Sequence, residues 1–175
     1  MLEKAIEIVD MAMKSGADEV EAYISSSRET TIRVRHSDVE VFTTAITKGL
    51  GIRVFLGKKL GYAFTSDLTE SVLRKTVQEA IENAGVSAED RFNGLPDKFA
   101  TLVEARQELG IYHPELLTTP TERKLDFALS LEESALKFDP LIESCEEVVY
   151  ADEERTTALA NSKGFSGQTK STSCY

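Results

Sequence analysis

The stretch Lys48-Gly-Leu-Gly-Ile-Arg-Val-Phe-Leu-Gly-Lys-Lys-Leu-Gly-Tyr-Ala-Phe-Thr-Ser-Asp67 reads as two strands folded back on each other, followed by a helix start. Leu50, Ile52, Val54 and Leu56 alternate onto one face. A tight turn at Gly57-Lys58-Lys59 is expected to bring Leu60, Tyr62 and Phe64 back as a matching face. Gly49, Gly51 and Gly61 thin the other side, where only a small residue lets a second backbone come close.

Outward from this hairpin the periodicity changes. Leu2, Ala5, Ile6, Val9 and Met13 sit at helical spacing, and Gly16 follows as a stop. Asp18 to Phe42 alternates as half-buried strands in a meander, with turns expected at Ser25-Ser26-Ser27 and His36-Ser37-Asp38. A second helix begins near Asp67 or Thr69, with Asp67 and Glu70 at capping-box spacing, and ends at Gly85. Residues 86–118 lack regular periodicity and are punctuated by Asn93-Gly94, Pro96 and Pro114. Thr119-Pro120-Thr121-Glu122 is a helix start with a second capping box. Leu125, Ala128, Leu129, Ala135 and Leu136 share the face that follows, and Asp139-Pro140 stops the helix after Phe138.

Ser144–Tyr150 and Thr156–Asn161 read as strands around an acidic turn at Asp152-Glu153-Glu154, and Phe165–Tyr175 as a third strand. The expectation is an α+β fold: a helix–sheet–helix unit over 1–85, a connecting segment over 86–118, and a helix with the start of a second antiparallel sheet over 119–175. Because three strands without a covering helix leave an apolar face open, the chain is expected to be part of a longer protein.

At 175 residues there is enough chain for one real core. The 41% hydrophobic and 29% charged residues are ordinary globular composition. A net charge of −10 repels phosphate backbones, so direct nucleic-acid binding is not expected. Two cysteines, Cys145 and Cys174, do not make a disulfide framework. No apolar run approaches the roughly 18 residues of a membrane helix, and the charged start is unlike a signal peptide, so a cytoplasmic protein is expected.

Motifs that carry chemistry are sparse. The two histidines, His36 and His113, cannot supply a pair of zinc ligands one helical turn apart. The Gly49-x-Gly51 pair lacks the third glycine and the helix of a dinucleotide fingerprint. The carboxylates from Glu143 to Glu154 lack the spacing of a calcium loop and read as a solvated acidic face. Arg53 lies between Ile52 and Val54 and so faces away from the apolar row. It suits either a carboxylate on a neighbouring strand or a substrate carboxylate. Arg53, Tyr62 and Phe64 are therefore the candidate substrate or interface residues. No catalytic or metal residue can be named.

The segments Gly16-Ala-Asp-Glu-Val-Glu-Ala-Tyr23, Val39-Glu-Val41, Gly49-Leu-Gly-Ile-Arg-Val-Phe55 and Gly61-Tyr-Ala-Phe-Thr-Ser-Asp-Leu68 occur in an order that resembles the TldD/PmbA family. Ala88-Glu-Asp-Arg-Phe-Asn-Gly-Leu-Pro96, Leu109–Pro114 and Ala158–Gly164 extend the likeness. The Glu-Asp-x-Phe-x-Gly-Leu-Pro piece is more similar to the PmbA (TldE) branch. The resemblance implies the amino-terminal, noncatalytic portion of a subunit in a cytoplasmic zinc metallopeptidase complex that processes unfolded peptides. It implies a TldD-type or identical partner subunit, no cofactor in this chain, and zinc in the catalytic partner. A peptide- or protein-binding module without proteolysis, or a direct modulator of DNA gyrase, is the alternative.

Overall fold

In the computed structural model, which describes residues 1–97 and 109–175, five strands form one sheet in the order β3-β2-β1-β4-β5. The elements run α1 (Leu2–Lys14), β1 (Glu19–Arg35), β2 (Asp38–Leu56), β3 (Lys59–Thr65), α2 (Glu70–Val86), α3 (Glu115–Thr118), α4 (Thr121–Phe138), β4 (Val148–Asn161) and β5 (Ser166–Cys174). The α+β class is as the sequence suggests. A second sheet is not: β4 and β5 join the sheet that holds β1 to β3. The irregular stretch expected over 86–118 contains the one-turn α3, and its residues 98–108 lie outside those described.

The strands are longer than their punctuation implied. Ser25–Ser27 lies inside β1, and Asp152–Glu154 lies inside β4, so neither expected turn forms. Small polar residues favour turns only where no neighbouring strand offers backbone partners. By contact the described chain divides into two units. The first holds residues 1–26, 47–109 and 156–169, the second 27–46, 110–155 and 170–175.

In the first unit α1 buries Ala5, Ile8, Val9 and Ala12, while Ile6 and Met13, expected inside, are exposed at the margin. These four share a core with Val20, Ala22 and Ile24 of β1, Leu50, Ile52 and Val54 of β2, and Leu73, Val77, Ala80 and Ala84 of α2. The hairpin register corrects one reading. The turn is Gly57-Lys58, because Lys59 already pairs with Leu56. Pairing then sets Gly61 opposite Val54 and Ala63 opposite Ile52, so the row matching the apolar face is Gly61-Ala63-Thr65. A turn one residue shorter than expected moves every side chain to the other face. Leu60, Tyr62 and Phe64 therefore fall on the far side from the core row.

Gly61 shows why this register suits the sequence. A β-carbon there would stand 1.9 Å from the carbonyl oxygen of Ala80 and 2.3 Å from the nitrogen of Ala84. Backbone of β3 thus lies directly on backbone of α2. The same helix closes the outer edge of β3, where Asn83 Nδ2 donates to the Tyr62 carbonyl at 3.0 Å and Lys59 Nζ donates to the Gly85 carbonyl at 3.3 Å. Neither expected capping box forms. Asp67 Oδ1 accepts the Thr69 N–H at 2.9 Å, and Thr119 Oγ1 donates to the Glu115 carbonyl at 3.1 Å.

The second unit has a smaller core of Ile32, Val34, Ala128 and Tyr150, with Leu125, Leu129 and Val148 against it. The fully inward residues of α4 are Lys124, Ala128 and Glu132, so its expected apolar face is shifted and partly charged. Both charges are matched. Lys124 Nζ lies 2.5 Å from Asp152 Oδ2, which also accepts the Tyr150 hydroxyl at 2.9 Å. Asp152 is therefore buried and is not part of a solvated acidic face. Glu132 accepts the N–H groups of His36 and Ser37 at 2.8 and 2.7 Å. These two residues join β1 to β2 with φ of 54° and 60°, a left-handed pair that suits the twist of a tight hairpin but is unfavourable for side chains other than glycine.

Two substitutions measure these contacts. Gly61→Ala is expected to lower stability by about 3 kcal/mol, because the obstacle is backbone that cannot move aside. Glu132→Ala is expected to cost about 3 kcal/mol by leaving two N–H groups unpaired, and Glu132→Gln about half as much. Urea unfolding of each variant against the parent gives the differences.

Candidate recognition face

Alternation along the strands places Glu19, Glu21 and Tyr23 of β1, Gly51 and Arg53 of β2, and Tyr62 and Phe64 of β3 on one face of the first unit, opposite the row that meets α2. The three residues singled out by sequence do come together. Arg53 pairs with Tyr62 across the hairpin, and Gly51 pairs with Phe64. The Tyr62 and Phe64 rings stack with centroids 6.0 Å apart and planes 27° from parallel. Tyr62 lies over Gly51, its hydroxyl 3.0 Å from where a β-carbon would be. The glycine is what lets the ring lie down along the strands. Tyr62 is 52% and Phe64 74% exposed, an aromatic shelf open to solvent.

Arg53 pairs with a carboxylate on the neighbouring strand. Its Nε donates to Glu21 Oε1 at 3.0 Å, and its Nη2 contacts the same oxygen. The guanidinium is thus already matched by a carboxylate on the next strand. An incoming carboxylate would have to displace Glu21, so the shelf offers apolar and aromatic contact more readily than an anion site.

At the other end of the face, Glu19 ties down residues that follow α2. Its Oε2 accepts the Leu95 N–H at 2.6 Å, and its Oε1 lies 2.8 Å from Lys163 Nζ, which also reaches Asp97 at 3.2 Å. Lys58 and Asn93 exchange two further bonds, Nζ to the Asn93 carbonyl at 2.7 Å and Nδ2 to the Lys58 carbonyl at 3.1 Å. Partial burial pushes the Glu19 carboxyl upward, but the Leu95 N–H, the Lys163 bond and the Lys58 charge outweigh it and hold it below the usual carboxylate range. Sequence reasoning missed this network, since Glu19, Leu95 and Lys163 are 76 and 144 positions apart along the chain.

The family resemblance implies zinc in a catalytic partner subunit and not in this chain. Among the described residues no three of His, Cys, Asp and Glu are grouped to hold a metal ion. His36 sits at the hairpin tip held by Glu132, and the His113 ring bonds the Gly110 carbonyl at 2.8 Å and lies 3.3 Å from Glu115. No chemical step is therefore assigned to a metal in this chain.

Because the folded Glu19 carboxyl titrates below its ordinary value of 4.5, its contribution to stability is full above that value and is lost as pH falls through the folded one. The urea midpoint should therefore drop below about pH 4.5 in the parent, with a shallower drop in Glu19→Gln.

Comparison with known proteins fits this architecture. Residues 20–84 match the PmbA/TldA metallopeptidase domain 1, and residues 114–175 match the PmbA/TldA metallopeptidase central domain. A metalloprotease PmbA homolog of Haemophilus influenzae is 28% identical over 90% of this chain, and the chain spans only 34% of that relative's length. A crystal structure from Bacteroides thetaiotaomicron, described as a modulator of DNA gyrase, superposes with a TM-score of 0.85 at 24% identity, covering 97% of this chain and 38% of the other. TldE from Thermococcus kodakarensis superposes at 0.82 with 16% identity, covering 98% and 37%. Among the described residues no helix is long and apolar enough to cross a membrane. With both of its domain matches in sequence order and the fold shared, this chain belongs to the PmbA/TldD metallopeptidase family.

Proposed function

We propose that this chain is the noncatalytic amino-terminal portion of a PmbA-type subunit, working in the cytoplasm beside a TldD-type or identical subunit, and that it holds unfolded peptides for a zinc-bearing partner to cleave. Family membership supports the peptidase setting. The observation that carries the holding role is the open flank of β2. The short β3 covers β2 only from Leu50 to Leu56, so on that side Asp38 to Ile46 has no strand beside it among the described strands. Phe42 and Ile46 are both exposed there. The segment Val41-Phe-Thr-Thr-Ala-Ile46 carries no charge, proline or glycine to discourage pairing. An extended peptide can add to such an edge through main-chain bonds, and main-chain bonds are indifferent to its sequence. The outer edge of β3 is less suited, since Asn83 already occupies the Tyr62 carbonyl.

The partner subunit supplies the chemistry in this reading: a bound zinc would activate water and polarise the peptide carbonyl. The role of this chain is to present the peptide backbone in extended form.

The chain alone should bind a labelled unfolded peptide with a Kd of about 10–100 μM, retain no stoichiometric zinc and cleave nothing. Cleavage should begin on adding a zinc-loaded TldD-type subunit. Phe42→Lys combined with Ile46→Lys should weaken peptide binding about tenfold by charging the edge. One zinc per chain, or turnover by the chain alone, would refute the noncatalytic assignment. Unchanged binding by the double variant would remove the β2 flank from the proposal.

A further inference from the structure

Residues 87–97, which follow α2 and hold the Glu-Asp-x-Phe-x-Gly-Leu-Pro piece, are fastened to the first unit in two different ways. Up to Asn93 the fastening is mostly main chain, at the β2–β3 turn. Glu89 bridges Lys59, the Asp90 N–H donates to the Lys58 carbonyl at 3.1 Å, and the Asn93 N–H closes a turn on the Asp90 carbonyl at 2.9 Å. Past Gly94 the bonds run to charged side chains. The Leu95 N–H donates to Glu19 at 2.6 Å, and Asp97 meets Lys163 at 3.2 Å, whose Nζ is itself 2.8 Å from Glu19. Gly94 stands between the two halves with a φ of 150°, which side chains rarely adopt, so the change of fastening coincides with a joint.

The far half has something to cover. Phe55 pairs with Leu60, two residues along the strands from Arg53 and Tyr62, and so lies on the same face as the aromatic shelf. It takes no part in the core beneath α2, yet it is only 2% exposed, whereas Tyr62 and Phe64 on that face are open. Leu95, tied to Glu19 on this face, is 7% exposed.

We infer that residues 94–97 form a flap, jointed at Gly94 and latched by Glu19, that closes Leu95 over Phe55. Released, it adds Phe55 and Leu60 to Tyr62 and Phe64, and the two-ring shelf becomes an apolar strip along β2 and β3. The latch is ionic: Glu19 is faced by Lys163 and Lys58, with Asp97 on the far side of Lys163. Its hold therefore depends on one carboxylate, while the main-chain bonds at Asp90 and Asn93 keep the near half in place. The flap is separate from the β2 flank and does not depend on the peptidase reading.

Closure is read from a thiol placed on the flap. In a chain with Cys145→Ser and Cys174→Ser, the Leu95→Cys thiol should react with a maleimide at least about tenfold more slowly than in the urea-unfolded chain. Adding Glu19→Ala should speed the reaction about tenfold, because a bond to a charged acceptor is lost, with hydrogen exchange in β3 and α2 unchanged. If Glu19→Ala disturbs β1, Lys163→Ala, on the outer side of the latch, should still speed it about threefold. The cover of Phe55 is read separately. The chain has no tryptophan, so Phe55→Trp supplies a single indole. Its quenching by acrylamide should rise about threefold when Glu19→Ala is added. A thiol that reacts at the unfolded rate with the latch intact, a rate indifferent to both latch variants, or exchange in α2 that rises in step with labelling would overturn the flap. Equal quenching with and without Glu19→Ala would overturn its role as the cover of Phe55.

Discussion

Between Gly61 and the turn of α2 that carries Ala80 and Ala84 there is room for a hydrogen atom and nothing larger. Much of the first unit follows from this approach. With backbone against backbone, α2 sits low enough on β3 for Asn83 and Lys59 to join helix and strand through main-chain carbonyls. Leu73, Val77, Ala80 and Ala84 are then carried over the row made by Ile52, Val54 and Ala63. Gly61, Ala63, Ala80 and Ala84 keep the two elements close, and Ile52, Leu73 and Val77 fill the interior beside them. Since Gly61 and Ala63 must face the helix, Tyr62 and Phe64 have no choice but the opposite face. The aromatic shelf is a by-product of the packing on the other side of the strand.

The second unit solves a different problem. Its apolar core is small, and α4 turns a lysine and a glutamate inward. Buried charges of this kind are costly unless fully matched. Here each has a defined task. Lys124 and the Tyr150 hydroxyl converge on Asp152, and burial together with that carboxylate pushes the Tyr150 phenol well above its ordinary range. Glu132 satisfies two N–H groups of a left-handed turn that would otherwise be strained. Removing either partner leaves a buried polar group unpaired, which is how a small unit with few apolar contacts can still prefer one hairpin geometry.

The surfaces that remain open are of a kind suited to recognition. The stacked Tyr62–Phe64 pair and the Val41–Ile46 flank of β2 both leave apolar side chains exposed. The ionic groups on the recognition face are mostly spoken for: Glu21 holds Arg53, and Glu19 holds Lys163 and Leu95. The chain spans about a third of the length of the related PmbA homolog.

Periodicity alone determined that the chain is α+β, where α1, α2 and α4 lie, and that a glycine-marked hairpin precedes α2, because apolar spacing and stop residues are local properties. The family likeness was legible for the same reason, being written in short ordered segments. Face and partner were not. Gly57-Lys58-Lys59 reads as a three-residue turn, and only the fit of Gly61 against α2 shows that the turn is Gly57-Lys58. Ser25–Ser27 and Asp152–Glu154 look like turns until neighbouring strands supply their backbone bonds. Lys124 and Glu132 look like surface residues until Asp152 and the His36–Ser37 turn arrive beside them, brought from 28 and more than 90 positions away. Local pattern sets which elements form; register, burial of charge and the choice of face are settled by contacts between distant residues, and those exist only once the chain has folded.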